Sequence, residues 1–214
     1  DGLCELILTK GDDMLCEICR EHPRFYARYG DFYDMGEGLC CEEAASLLFL
    51  NTSPLKLITE AESRDDAAYF DDGLIDPEAL YMLRQSTLHM LCDRTQTLYD
   101  RIHSIFENLL LKQYGKINFA FPSEDEFYDI LIKASKKTEA YDADFTHLLK
   151  CLCENKAEAL FSRKTFISYL GERTADYEKL LSYLVFRHFP KAVYDGDALG
   201  KFCFCVGVTA ITFY

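Results

Sequence analysis

The 214-residue chain has no tryptophan, only five prolines and eleven glycines, and far fewer basic than acidic residues. The scarcity of proline and glycine disfavours loop-rich and low-complexity architectures. The acidic excess, 36 Asp and Glu against 23 Lys and Arg, gives a formal net charge of −13 without any basic cluster. Because nucleic-acid binding draws its affinity from clustered Lys and Arg, we expect no nucleic-acid partner.

Long apolar runs are also missing. A membrane-spanning helix needs about 20 consecutive apolar residues, and the longest candidate, residues 202–214, is too short. The N-terminus shows no signal-peptide pattern. The five cysteines beyond residue 41 lie among apolar residues, where free cysteine behaves as a small buried hydrophobic residue. We therefore expect a cytoplasmic protein with no membrane partner. Because the chain begins without Met and ends on apolar residues, we also expect it to be a fragment.

The sequence contains no Gly-x-Ser-x-Gly, no Walker-type loop and no Gly-x-Gly-x-x-Gly, so hydrolase, ATPase and dehydrogenase functions lose their usual support. It also lacks an internal repeat and an alternating strand pattern of useful length. What it has instead is 49% hydrophobic content, with apolar residues spaced by three and four. This spacing predicts an all-α fold with at least five helices.

The helical pattern begins after Cys41, which divides the chain into an irregular cysteine-rich segment, residues 1–41, and a helical domain, residues 42–214. Ser123 and Glu126 have the spacing of a capping box, which marks a helix start. Asp195 or Asp197 is expected to cap the last helix, and the acidic stretch of residues 59–76 is expected to be a surface loop. The remaining helices are predicted at residues 42–50, 77–110 with a break near Asp93, 142–155, 157–170 and 175–189.

Cysteine is concentrated near the N-terminus. Five of the ten cysteines fall within the first 41 residues, at Cys4, Cys16, Cys19, Cys40 and Cys41. Cys16 and Cys19 form a Cys-x-x-Cys pair, whose spacer turns both sulfurs to one side. Together with Cys4 and either Cys40 or Cys41 they supply four thiolates, the number that a tetrahedral zinc site or an iron–sulfur cluster needs. A redox pair and inert core cysteines are the alternatives.

Several side chains around the Cys-x-x-Cys pair are further candidates. Arg20 and Arg24 flank it, where guanidinium groups lower thiol pKa values, offset the charge of a cluster, or bind a carboxylate or phosphate. His22 is a candidate to replace one ligand, although a capping role is commoner at such a position. The four other histidines form no His-x-x-x-His pair, so we interpret them as core or surface residues. The aromatic residues that follow suit packing over a site: Phe25, Tyr26, Tyr29, Phe32 and Tyr33.

The strings DGLCELILTKGDDMLCEICREHPRFYAR and LCCEEAASLLFLN resemble the flagellin lysine-N-methylase family, whose members carry "DGLC", "CR-x-x-PR" and "CPEAA" segments in this order. The resemblance covers residues 1 to about 50 closely and the YLVFRHFPKAVYDGD region more loosely. Two positions depart from the family pattern, since Glu42 replaces a proline and Ser46 an arginine. A cysteine-rich segment that the family carries further upstream would precede Asp1, so we expect this chain to lack it.

This resemblance implies a protein lysine N-methyltransferase that uses S-adenosylmethionine as the methyl donor, flagellin as the protein substrate and a cysteine-bound iron–sulfur cluster. It implies Cys4, Cys16, Cys19 and Cys41 as the cluster ligands, with Cys40 as an extra cysteine. Arg20 and Arg24 belong to its CR-x-x-PR motif and are the candidate cofactor-binding residues.

We therefore predict that the four ligand thiols converge in space, with zinc as the alternative to iron and sulfide. The rival hypothesis is a non-enzymatic, metal-binding helical interaction module. The sequence singles out no catalytic base.

Overall fold

A computed structural model of the chain describes residues 5–50, 52–60, 73–116, 119–137 and 143–212, apart from the side chains of residues 161, 163 and 164. Its strands are β1 (Arg24–Tyr29) and β2 (Phe32–Glu37), and short 3-10 turns lie at Asp12–Met14, Gly171–Arg173 and Phe189–Lys191. The helices are α1 (Glu5–Lys10), α2 (Glu17–Glu21), α3 (Glu42–Phe49), α4 (Pro77–Leu91), α5 (Leu98–Tyr114), α6 (Glu124–Ser135), α7 (Ala143–Glu154), α8 (Lys156–Leu170), α9 (Thr174–His188), α10 (Ala192–Asp195) and α11 (Ala198–Ile211).

The predicted helical fold is confirmed, and its helices start where the sequence signals lie. Ser123 and Glu126 form the expected capping box at α6, each satisfying a backbone N–H of the other. Asp197 caps α11 by accepting a hydrogen bond from the Gly200 N–H, whereas Asp195 pairs with Lys201. The break near Asp93 is a turn between α4 and α5, closed by the Thr95 hydroxyl and N–H donating to the Asp93 carboxylate.

Two expectations about loops have different outcomes. Most of the acidic stretch of residues 59–76 lies outside the described residues. The segment of residues 24–37 was expected to be irregular and instead forms an antiparallel hairpin, with Arg24 opposite Glu37 and Tyr29 opposite Phe32. The sequence analysis missed it because tyrosines stand on both faces of the strands, which hides the alternation of buried and exposed positions.

The hairpin packs with its inner face on the helical body. Tyr29 is buried in the main core, and the Phe32 ring stacks on Tyr81 of α4 with 4.2 Å between ring centroids. Gly30 and Asp31 form the two-residue turn. Gly30 has a φ of 54°, and a Cβ at this position would lie 2.6 Å from Pro77 Cβ. Glycine is therefore required here both for the positive φ and for the close approach to α4.

The core is built around α9 and α11, which pack against α4 and α5. It contains mostly leucine and aromatic side chains, and the largest fully buried apolar ones include Tyr128, Phe189, Phe202, Leu80, Leu91, Ile105, Leu109 and Leu181. No helix in the described part of the chain is long and apolar enough to cross a membrane.

One buried carboxylate links the centre of this core to the turn between α4 and α5. Glu178 of α9 is 2% exposed and accepts hydrogen bonds from Arg94 and Arg101, with O–N distances of 2.7–3.1 Å. Burial opposes ionisation of Glu178, but the two guanidinium groups outweigh it and hold the pKa of the carboxyl below its usual value. Arg101 also donates to the Leu91 carbonyl at the end of α4, so the Glu178–Arg101 pair joins α9, α5 and α4.

Replacing Glu178 by Gln should lower the free energy of unfolding by about 3 kcal/mol or more, because the buried Arg101 guanidinium loses its counter-charge. Glu154→Gln is the matched control, since Glu154 pairs with Lys150 at 3.9 Å on an exposed helix face. Its cost should stay within about 0.5 kcal/mol. Chemical denaturation measures both, and equal stabilities for the two variants would contradict a structural role of Glu178.

Candidate metal centre

Cys16 and Cys19 lie together on one exposed turn of the chain. Cys16 is the residue immediately before α2, Cys19 is inside that helix, and both are exposed. The N–H and the thiol of Cys19 favour the thiolate of Cys16 and lower the pKa of the Cys16 thiol. A thiol whose pKa is lowered is the better metal ligand and the better nucleophile, because the thiolate is the form that reacts and binds.

A second pair brings Cys40 to His22. The Cys40 Sγ lies 3.6 Å from the His22 Nε2, across the open end of the hairpin. The backbone closes this end, because the Gly38 N–H donates to the Pro23 carbonyl at 2.8 Å. A Cβ on Gly38 would lie 2.9 Å from that carbonyl oxygen and 3.2 Å from the Cys40 sulfur. Gly38 therefore allows the contact between Cys40 and His22.

The distance between the Cys40 sulfur and the His22 nitrogen equals the distance between two ligands of a zinc ion. In a tetrahedral zinc site, a Zn–S bond of about 2.3 Å and a Zn–N bond of about 2.0–2.1 Å place the sulfur and nitrogen about 3.5–3.6 Å apart. The same separation suits a hydrogen bond between the two groups when no metal is bound. His22 and Cys40 therefore stand at the spacing of two ligands of one zinc ion.

The two arginines of the motif lie beside these pairs. Arg20 is in the last turn of α2. Arg24 begins β1 and pairs with Glu37 at 3.3 Å and with Glu21 at 3.9 Å. Glu21 also accepts a hydrogen bond from the Tyr26 hydroxyl, which raises the pKa of that phenol.

The aromatic residues of the hairpin divide between its two faces. Phe25 packs inward against Tyr183 and Phe186 of α9, with centroid distances of 6.1 and 5.9 Å. Tyr26 and Tyr33 stack on the outer face at 5.7 Å and remain about two-fifths exposed. The aromatic residues on the inner face of the hairpin thus pack against the helical body rather than stack on a ligand.

The hairpin is fastened to the body by one ion pair. Arg84 of α4 is buried and donates from both terminal nitrogens to the Asp34 carboxylate of β2. Its guanidinium also lies over the rings of Tyr29, Tyr81 and Phe186, within 5.3–5.6 Å of their centroids. The Tyr183 hydroxyl adds a hydrogen bond to the Glu37 carbonyl at 3.0 Å. These contacts fix where Cys40 and His22 stand.

Among the four predicted thiolate ligands, the structure brings Cys16 to Cys19. Cys41 is half-buried and precedes α3 as its N-terminal cap residue, and Cys4 lies outside the described residues. Within the described ranges, no group of three or more His, Cys, Asp or Glu side chains is arranged to hold a metal ion. Convergence of all four thiols remains a prediction.

Sequence reasoning underrated His22 and Cys40. The available signal was the hairpin register, because residues preceding β1 and following β2 must meet at its open end. That inference needed the hairpin, which the sequence analysis missed.

An open cleft of about 490 Å³ lies away from the cysteines, at the far end of α3 from Cys41. Its wall includes Phe49, Tyr169 and Tyr177, together with the ion pair between Arg173 and Asp176. Eight helical residues span about 12 Å. The cleft and the cysteine pairs are therefore separate features.

Comparison of the chain with protein-family models, with curated proteins and with solved structures found no match in any of the three. The family resemblance therefore rests on the motifs of residues 1–50.

In metal-free protein, Cys16 should be alkylated by iodoacetamide much faster than Cys205 at neutral pH. Cys16 is exposed and its pKa is lowered, so its thiolate fraction at a given pH exceeds that of an ordinary thiol. Cys205 is buried, and burial raises its pKa to about 12. Peptide mass spectrometry across pH values measures both rates. A rate midpoint for Cys16 at or above pH 9, the ordinary value for a thiol, would contradict a lowered pKa of Cys16.

Arg84→Leu should release the hairpin from α4, because the Asp34 carboxylate loses its partner at a mostly buried position. Amide hydrogen exchange of residues 24–37 should speed up more than tenfold, since undocking exposes the strands to local opening. Arg173→Leu is the control, because Arg173 is exposed and its ion pair joins it to Asp176, three residues away, rather than to the hairpin. Unchanged hairpin exchange in Arg84→Leu would show that packing alone docks it.

Proposed function

We propose that this chain is part of a protein lysine N-methyltransferase, with S-adenosylmethionine as methyl donor, a flagellin-type protein as substrate and a cysteine-bound iron–sulfur cluster. The observation that carries the proposal is that Cys16 and Cys19, the cysteines of the CR-x-x-PR region, present their thiols together on one exposed turn. The DGLC and CCEEAA segments support it as sequence resemblances.

The residues present fit such a cluster in their donor chemistry. Iron–sulfur clusters are held by cysteine thiolates, and the N–H and thiol of Cys19 lower the pKa of the Cys16 thiol. In the proposal, Cys16, Cys19 and Cys41 hold the cluster together with Cys4. Arg20 follows Cys19 in α2 and Arg24 begins β1, and in the proposal their positive charge offsets the negative charge of a thiolate-ligated cluster.

The charge of the chain suits a lysine-bearing substrate. A net charge of −13 attracts a basic segment and speeds its encounter with the protein. Methyl transfer also requires a neutral amine, so a carboxylate or phenol must take the lysine proton. The cluster supplies structural or redox chemistry when bound, while binding and orienting the substrate amine falls to the protein.

A non-enzymatic metal-binding interaction module is the second candidate. The specific observation that favours it is the 3.6 Å separation of Cys40 Sγ and His22 Nε2, which suits zinc rather than an all-thiolate cluster. In this case the metal stabilises the N-terminal segment, and no methyl donor binds.

The test is methyl incorporation from labelled S-adenosylmethionine into flagellin by the anaerobically purified protein. Cys16→Ser and Cys19→Ser should each abolish incorporation together with iron and sulfide content, because loss of one thiolate opens the centre and makes it labile. Cys203→Ser is the matched control, since Cys203 is exposed on α11 and belongs to neither cysteine pair.

The outcomes separate the candidates. Full activity in metal-free Cys16→Ser protein would exclude a role of the cluster. Bound zinc without iron, sulfide or donor binding would establish the interaction module instead.

A further inference from the structure

A second thiol–imidazole pair lies on α7, outside the cysteine-rich segment. The Cys151 Sγ is 3.5 Å from the His147 Nε2. The two residues are four positions apart, so they occupy the same face of the helix in consecutive turns. His147 is exposed and Cys151 is half-buried.

The geometry of this pair matches two adjacent ligands of a zinc ion. Zinc bonds of about 2.3 Å to sulfur and about 2.0–2.1 Å to nitrogen, at a tetrahedral angle, give a ligand separation of about 3.5–3.6 Å. Both residues sit on a regular helix that fixes their backbone spacing, so little rearrangement is needed to bind. Thiolate with imidazole is a donor set that suits zinc.

The other cysteine of this helix faces elsewhere. Burial, and then the nearby Cys153 thiol, raise the pKa of Tyr128 on α6, which places Cys153 on the α6 side of α7. Residues two positions apart on a helix do not share a face. Cys151 and His147 therefore point away from the α6 contact, where an ion can reach them.

The charges near the pair are partly balanced. Lys150 pairs with Glu154 at 3.9 Å, which offsets its repulsion of a cation. Asp144 lies in the first turn of α7, three residues before His147, and so adds negative charge near the same face.

We propose that His147 and Cys151 form a zinc-binding site, with water completing the coordination. The proposal is independent of the lysine methyltransferase proposal and of the cysteines before Glu42. With two protein ligands, the site should bind more weakly than a closed four-ligand site. Binding places zinc between the Cys151 sulfur and the His147 Nε2, and the thiol proton is released to solvent.

The experiment follows the alkylation of Cys151 in the intact chain at a series of free zinc concentrations set by a chelator buffer. Fragment-ion mass spectrometry of the peptide that carries Cys151 and Cys153 assigns the alkyl group to each cysteine separately, so metal bound at the N-terminal cysteines does not interfere. Zinc should slow alkylation of Cys151 at least about tenfold, because a metal-bound thiolate is withdrawn from reaction. Cys153, in the same peptide, is the internal control and should react at an unchanged rate.

His147→Ala is the decisive variant, since it keeps the Cys151 thiol and changes an exposed side chain. The zinc concentration that protects half of the Cys151 thiol should then rise at least about tenfold. Mutating even a residue that only hydrogen-bonds a metal ligand lowers metal affinity about 10–100-fold. His103→Ala, on α5, is the matched control and should behave like wild type. The proposal would be overturned if zinc did not change the alkylation rate of Cys151. It would also be overturned if wild type and His147→Ala needed the same zinc concentration to protect half of Cys151.

Discussion

The buried ion pair between Arg84 and Asp34 is the contact on which the placement of the N-terminal segment depends. Its guanidinium satisfies the Asp34 carboxylate and lies among three aromatic rings, so the charge is hydrogen-bonded on one side and packed against apolar surface on the other. A charge buried without such partners would cost several kcal/mol. The pair therefore stabilises one position of the hairpin on α4, because any other position would leave a buried charge without its partner.

Docking of the hairpin has a consequence for the cysteines. The two strands run antiparallel from the turn at Gly30 to an open end, where Pro23 and Gly38 are hydrogen-bonded. The chain enters this end from α2, which carries Cys19 and follows Cys16, and leaves it towards α3 through Cys40 and Cys41. A short hairpin thus brings Cys40 into contact with His22, 18 positions earlier in the chain.

Two unrelated elements, the hairpin end and α7, each hold a cysteine sulfur within 3.6 Å of a histidine nitrogen. In the first case the pairing comes from tertiary structure, because residues 22 and 40 meet only through strand pairing. In the second it comes from helix periodicity alone. Both pairs are preorganised by backbone structure, which reduces the entropy that a metal ion would otherwise have to overcome on binding.

The sequence by itself determined the helical body, because three-to-four spacing of apolar residues and local capping residues such as Ser123 and Asp197 act within a single helix turn. It also determined that Cys16 and Cys19 share one side, since their spacing is local. The His147–Cys151 pair follows from the same periodicity, because residues four positions apart share a helix face. Tertiary structure alone decided the pairing of His22 with Cys40 and of Arg84 with Asp34, because those contacts join residues 18 and 50 positions apart. Such contacts depend on how the helices and strands pack together, and neither secondary-structure propensity nor local residue spacing predicts that packing.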